Sequence, residues 1–404
     1  MVSRLCRSRL FHAEEAGVRA RGGSRLPFIF GTFCLEGQAT EEGRRQARVK
    51  RTMQKRIRRA LLSSLKPAGV LDRVRDSKWR QGQLLILCYH SLAIDQENLW
   101  RPATFITATR LRERFEILKQ GAYNVLNLGD ALDRLRRNIL PPRSVVLTFD
   151  DGTYDFYKLT YPLLKEYGFP ATVYQTTYYC SYRMPVFSLI CSYMLWKKRD
   201  DVLRAAPSIG VASDIPLDTS DGRQLATSQI VAFADSKQLS TAQKNELAAE
   251  LAARLELDYD KLLRQRILQL MTPAEITELA SAGIDFELHT HRHRMPRDRA
   301  LFEREIQDNR EAIEAMTKAS PVHFCYPSGD YERMFLPWLT EEGVVSATTC
   351  DPGLASVRRE PLLLPRFIDT TGQTALEFES WLTGVGAMLS VGATTAAFRD
   401  FFRS

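Results

Sequence analysis

Val145 to Gly152 reads Val-Val-Leu-Thr-Phe-Asp-Asp-Gly, an apolar run that ends in two adjacent carboxylates and a glycine. A short run rich in β-branched and aromatic residues predicts a buried strand, and the glycine permits the tight turn at its end. Asp150 and Asp151 therefore stand at a strand's C-terminal edge. Two neighbouring carboxylates repel unless a cation or a catalytic task compensates. A solvated turn that caps the next helix is the other reading of Asp-Asp-Gly taken alone.

Working outward, Leu84 to His90 is a second continuous apolar run and ends in a histidine, as expected for a strand covered on both faces. Arg110 to Gly121 has helical spacing, with Tyr123 to Leu128 as a short strand after it. Tyr154 to Tyr167 reads as a helix with Tyr157, Tyr161, Leu164 and Tyr167 on one face, and Ala171 to Thr177 as a strand. This alternation is the pattern of βαβ units on a parallel sheet. Residues from about 180 to 270 break it. They read as a largely helical insertion, with 203–227 loop-like and 240–271 helical. Tyr178, Tyr179, Tyr182 and Trp196 fit either a sugar-binding surface or a helical core within it. The rhythm resumes at the capping box Thr272-Pro-Ala-Glu275 and continues with strands at 284–289, 322–326, 344–348 and 362–367, and helices at 299–318 and 331–343. Residues 385–404 read as a tail or weak terminal helix.

The 404 residues carry a net charge of +8, and the excess is local: residues 1–80 hold 20 Lys and Arg against 7 acids, a balance of +13 that leaves −5 for the rest. This basic arm reads as a solvated, partly disordered leader able to touch an anionic surface weakly, with Met53 a candidate start. No interleaved aromatics or zinc-knuckle pattern accompany it, so nucleic-acid binding is not expected. A binder of nucleic acid through the arm would show steep salt dependence that vanishes when residues 1–80 are deleted. The stretch 26–35 is too short to span a bilayer and lacks the order of a signal peptide, and no other stretch is a candidate span. Compartment is left open between cytoplasm and cell envelope. The seven cysteines, with no Cys-x-x-Cys pair, argue against a disulfide framework and a structural zinc site.

His289-Thr-His-Arg-His293 places three of six histidines within five residues. At i, i+4, His289 and His293 face one way if the turn is helical, and both can reach one metal ion; a solvent-facing histidine cluster is the alternative. His291 would point to solvent or to a supporting partner. In a parallel β/α barrel all C-terminal strand ends open on one face, so the carboxylates and imidazoles converge from about 140 residues apart. One Asp then binds the metal, and the other takes a proton from water. His90 alone is equally a hydrogen-bonded structural residue or a member of the site.

Thr148-Phe-Asp-Asp-Gly152 with His289-Thr-x-x-His293 resembles the first two motifs of the polysaccharide deacetylases, the NodB-homology or carbohydrate esterase family 4 enzymes. The resemblance covers about residues 84–370. Cys88-Tyr-His-Ser91, the Pro-Pro-Arg before the Asp-Asp strand and Phe324-Cys-Tyr-Pro-Ser-Gly329 look closest to the poly-N-acetylglucosamine deacetylase branch. It implies a distorted parallel (β/α) barrel over 81–384 with a mostly helical insertion. It also implies Asp151, His289 and His293 as ligands of a divalent metal, most often Zn2+, Asp150 as general base, and the Ser328 backbone N–H as an oxyanion donor. Two departures stand out. Cys325 occupies the usual place of the arginine that orients the base, for which Arg366 is the candidate replacement. No histidine follows His323, so the family's late histidine acid is missing, and His90 is the candidate proton donor. The expected reaction is removal of N-acetyl groups from an N-acetylated glycan, with release of acetate. A barrel that binds glycan without turnover, and an amidohydrolase acting on a non-sugar amide, are the alternatives.

Overall fold

The apolar run before Gly152 is the central strand of an eight-stranded, all-parallel sheet. A computed structural model describes Met53 and residues 56–390; the expectations for residues 1–52 and 391–404 lie outside the described residues. In chain order the strands are β1 (Leu85–Tyr89), β2 (Asn124–Leu126), β3 (Ser144–Asp151), β4 (Thr172–Gln175), β5 (Asp285–Leu288), β6 (His323–Cys325), β7 (Ser346–Thr348) and β8 (Phe367–Ile368). Their order in space is β7-β6-β5-β4-β3-β1-β8, with β2 beside the first half of β3. A parallel bridge between Thr348 and Leu364 links β7 to the segment that runs into β8. The sheet thus curls into a distorted barrel.

Both faces of the sheet are covered, which is why β1 and the Ser144–Asp150 part of β3 are buried at every residue and mostly apolar rather than alternating. Leu85, Leu87, Tyr89, Leu147 and Phe149 pack outward against the surrounding helices, including Ala108–Gln120 and Arg299–Thr317. The intervening residues point inward. Ile86, Val146, Tyr174, Cys325 and Leu364 form an inner cluster with helix Leu128–Arg136. Asp150 shares the inner face with Thr148 and Val146.

Three expectations need correction. Helix Ser220–Ser236 begins inside the stretch read as loop, because Thr219 caps it by accepting from the Gly222 N–H; the turn-like Ser220, Asp221 and Gly222 are its first turn. The last strand is Phe367–Ile368, and residues 362–366 instead bond the β7 edge irregularly, with Leu364 N–H donating to Ala347 and Thr349 N–H to Leu364. The segment after Gly152 opens with a π-helical turn over Phe156–Thr160 before helix Tyr161–Tyr167, so the tyrosines do not lie on one uninterrupted α-helical face.

The ends of the described chain are also more ordered than an arm and a tail. Residues 56–65 are helical, as are Val70–Arg75 and Lys78–Gln81. Leu62, Leu71 and Val74 bury against Val385 and Met388 of the short helix Val385–Met388, while Arg59 pairs with Glu377, Lys66 with Glu379, and buried Arg80 donates to the Leu382 carbonyl. Apolar residues at helical spacing thus find their partner about 300 residues further along the chain.

The insertion has its own buried cluster, built from helices Phe187–Lys197, Ser220–Ser236 and Thr241–Arg254. It returns to the barrel at the Asp-Asp-Gly turn. Thr153 bridges Leu270, Tyr154 N–H donates to Gln269 and Met271 N–H donates to Gly152.

Candidate metal centre

Strand alternation would send Asp151 outward, opposite to Asp150. Instead the backbone at Asp151 turns left-handed, with φ 73°, followed by Gly152 at φ 75°. Gly152 is required here: a Cβ would lie 2.0 Å from the buried Gln175 side chain. His289 follows β5 directly and is 1% exposed. Residues 289–293 form no helical turn. Thr290 and His293 both take left-handed φ, 59° and 54°, and this loop, rather than the helical i, i+4 spacing expected, brings the two imidazoles together at a ring distance of 4.8 Å. Strained backbone of this kind costs roughly 1–3 kcal/mol per residue and persists where its surroundings over-determine it.

Asp151 Oδ1 lies 3.3 Å from His289 Nε2 and 3.2 Å from His293 Nε2. His289 Nδ1 is 2.8 Å from the Cys325 carbonyl, which can only accept. Nδ1 therefore carries a proton, which leaves Nε2 as the ring nitrogen directed at Asp151; burial opposes a charge on this ring, but Cys325 and Asp151 raise it well above its ordinary range. Asp151 Oδ1 is buried and receives no hydrogen bond. Burial holds His293 toward its neutral form despite the Asp151 charge. One buried carboxylate oxygen with two imidazole Nε2 atoms directed at it is a donor set that suits a divalent ion such as Zn2+. The residues present fit the group.

Asp150 makes different contacts. Arg366, fully buried, donates from Nη1 to its Oδ1 at 2.7 Å and from Nη2 to its Oδ2 at 2.8 Å. Arg366 also donates to Thr148 Oγ1 and to the Thr349 carbonyl, and its guanidinium lies 5.6 Å from the Tyr174 ring. Burial alone would raise the Asp150 carboxyl, but the Arg366 guanidinium, with His90 and His289, holds it at about 2. Cys88 and Cys325 each place Sγ 3.6 Å from Asp150 Oδ2. His90 Nε2 is 3.8 Å from the same oxygen, and its buried Nδ1 has no hydrogen-bond partner.

Ser328 lies on the loop after β6 with φ 60°. No side-chain contact ties it to Asp151 or Asp150. His291 Nδ1 meets Thr177 Oγ1 at 2.8 Å.

Two supporting residues escaped the sequence reading. Asn309 accepts from the His289 N–H and donates to the Gln175 carbonyl and Thr177 Oγ1, tying the ends of β4 and β5 together. Glu305, 1% exposed, accepts from the Arg292 N–H and from the Arg292 and Arg294 side chains. Both sit on the inward stripe of helix Arg299–Thr317 with Phe302, Ile306 and Ile313. A polar pair at i, i+4 inside an apolar stripe was the available signal.

The fold is a parallel β/α barrel that carries, at its C-terminal strand ends, a possible metal-binding cluster of one carboxylate and two imidazoles beside a second carboxylate held by a buried arginine. The chain is similar to the polysaccharide deacetylase family, whose model matches residues 137–204 and 238–346 on either side of the insertion's middle. It is 25% identical over 116 residues to the poly-β-1,6-N-acetyl-D-glucosamine N-deacetylase of Escherichia coli K12, and equally so to that of strain O157:H7. That match takes in 28% of this chain and 17% of the relatives' own length. Among solved structures, the Streptococcus pyogenes deacetylase PplD in complex with acetate aligns over 75% of this chain and 97% of its own, with 18% identity and a TM-score of 0.49. IcaB from Ammonifex degensii aligns over 76% and 97%, with 17% identity and a TM-score of 0.44.

Proposed function

We propose that the chain hydrolyses the N-acetyl amide of N-acetylated sugar units in an oligosaccharide or polysaccharide, releasing acetate and a free amine. The observation that carries this is the division between adjacent carboxylates: Asp151 Oδ1 lies between two imidazoles, and both oxygens of Asp150 are held by Arg366. Asp151, His289 and His293 would hold the ion, with Zn2+ the first choice. When bound, a divalent ion there supplies the acidity that makes water a nucleophile at neutral pH and polarises the acetamide carbonyl.

The chain's own groups do the rest. Asp150, ionised at neutral pH, accepts the proton of the attacking water. A carboxyl held near 2 keeps a proton poorly, so it passes it on. His90 Nε2, 3.8 Å away, is the assigned relay to the departing nitrogen as the C–N bond breaks, a role the missing late histidine leaves open. Arg366 fixes the plane of the Asp150 carboxylate. The Ser328 N–H, presented by its left-handed turn, is the assigned donor to the oxyanion.

The test is acetate release from β-1,6- and β-1,4-linked N-acetylglucosamine oligomers, after the protein is stripped with a chelator and reloaded with single metals. Stripping should abolish release and Zn2+ should restore it. Asp150→Asn should cut kcat by about 100-fold or more with metal content unchanged, whereas His289→Ala should lose the metal. Undiminished release by Asp150→Asn overturns the assignment. A glycan-binding barrel without turnover is the second reading, favoured by the absence of any histidine after His323. Oligomer binding with no acetate under any metal would establish it.

A further inference from the structure

Beside the metal centre lies a cleft of about 390 Å3 between the insertion and the loop that carries His289 and His293. One wall is Arg292 and Arg294, the chain neighbours of His293, and the other includes Tyr178, Tyr182 and Phe187. The volume is within the roughly 300–1,000 Å3 of small-molecule sites.

Two sets of main-chain bonds fix this cleft relative to the centre. Thr177 and Tyr178 N–H groups both donate to the His291 carbonyl, and the returning strand of the insertion is bonded to Gly152 and Tyr154, directly after Asp151. The cleft therefore cannot shift without moving both ligand-bearing turns.

Its chemistry is that of a neutral polyhydroxylated ligand. The positive groups are already matched: Arg292 and Arg294 meet buried Glu305, Arg292 also meets Asp308, and Lys244 meets Asp235 at 3.0 Å. An anionic ligand would have to break these pairs. What remains is a set of rings beside hydrogen-bonding side chains. Tyr182, 37% exposed, lies 5.5 Å from Tyr178, and Tyr178 is itself backed by Arg292 at 5.0 Å. An aromatic face bordered by polar groups suits the apolar face and hydroxyl rim of a pyranose.

We propose that this cleft is a carbohydrate subsite for uncharged sugar units flanking the one that is deacetylated, so that the insertion selects polymer over monomer. The inference rests on the deacetylase reading. It is tested by measuring kcat/KM for N-acetylglucosamine oligomers of one and five units, and by titrating the pentamer into the Asp150→Asn protein. The wild-type pentamer-to-monomer ratio should be well above one. Tyr182→Ala should lower that ratio about tenfold and weaken pentamer binding to Asp150→Asn by a similar factor, while Tyr182→Trp, which keeps a ring, retains both. An equal ratio in wild type and Tyr182→Ala overturns the subsite and leaves the deacetylase reading intact. Absence of acetate from every oligomer removes that reading alone, because the titration still reads the cleft: pentamer binding that depends on Tyr182 upholds it, and binding that does not overturns it.

Discussion

Arg366 and Asp150 are both buried, and each alone would be costly. Their two-pronged contact makes them tolerable, so removing one partner leaves a stranded charge. Arg366→Met should destabilise the fold by roughly 3–5 kcal/mol in urea denaturation at pH 7. Without the guanidinium, burial pushes the Asp150 carboxyl upward from about 2, so the acid limb of kcat/KM should move to higher pH in that variant. An acid limb at the wild-type pH would show that Asp150 is not the group being titrated. Gly152→Ala places a Cβ against buried Gln175 on a left-handed backbone, and should cost roughly 2 kcal/mol in thermal denaturation and weaken metal affinity by mis-setting Asp151. At this scale the ligand candidates were legible because Asp-Asp-Gly and the histidine triplet are dense, unusual chemistry. The contact of Cys88 and Cys325 with Asp150 was not. Their motifs mark the two positions, but they lie on strands that are not neighbours, and only the closed barrel brings both thiols to one carboxylate.

Among the elements, β6 offers the cleanest handle. His323 at its start is buried, with Nδ1 2.8 Å from Ser346 Oγ of the neighbouring β7. Burial, with a smaller push from Arg136, lowers its imidazole to about 4. The unfolded chain binds a proton below about 6.5 and the folded chain does not until about 4, so this residue withdraws stability as pH falls through that window. Relative to His323→Asn, the wild type should lose about 3 kcal/mol between pH 7 and pH 4, read from denaturation midpoints at each pH. A constant difference would mean the ring is charged in the fold. Strand positions could be read from the sequence because β1 and β3 are covered on both faces and so are mostly apolar. The stretch 362–366 misled for the same reason: Leu362, Leu364 and Pro365 are apolar and buried, yet the stretch closes the barrel irregularly instead of adding a regular strand. The helix at Ser220 was obscured because capping chemistry and turn chemistry use the same residues.

For the whole molecule, the barrel is tied shut by a second buried pair. Arg114, on helix Ala108–Gln120, holds Asp369 just past β8 with bonds of 2.7 and 3.2 Å, and neither side chain reaches solvent. Arg114→Leu should destabilise by roughly 3–5 kcal/mol, and adding Asp369→Leu should recover part of the loss, since the cost lies in the unpaired carboxylate. If the double variant is worse than the single one, packing rather than charge explains the site. The parallel barrel was legible as a rhythm of strands and helices; the packing of Leu62, Leu71 and Val74 on Val385 and Met388 was not, because nothing in either segment names its partner. Arg366 stands 216 residues after Asp150. A chain emerging at roughly 5–20 residues per second exposes the Asp150 strand on the order of 10–40 s before the arginine exists. During that interval the carboxylate must stay in water, so the inner face of the barrel is held open by its own unpaired charge. The segment that carries Arg366, Phe367 and Ile368 then both closes the sheet against β1 and neutralises Asp150.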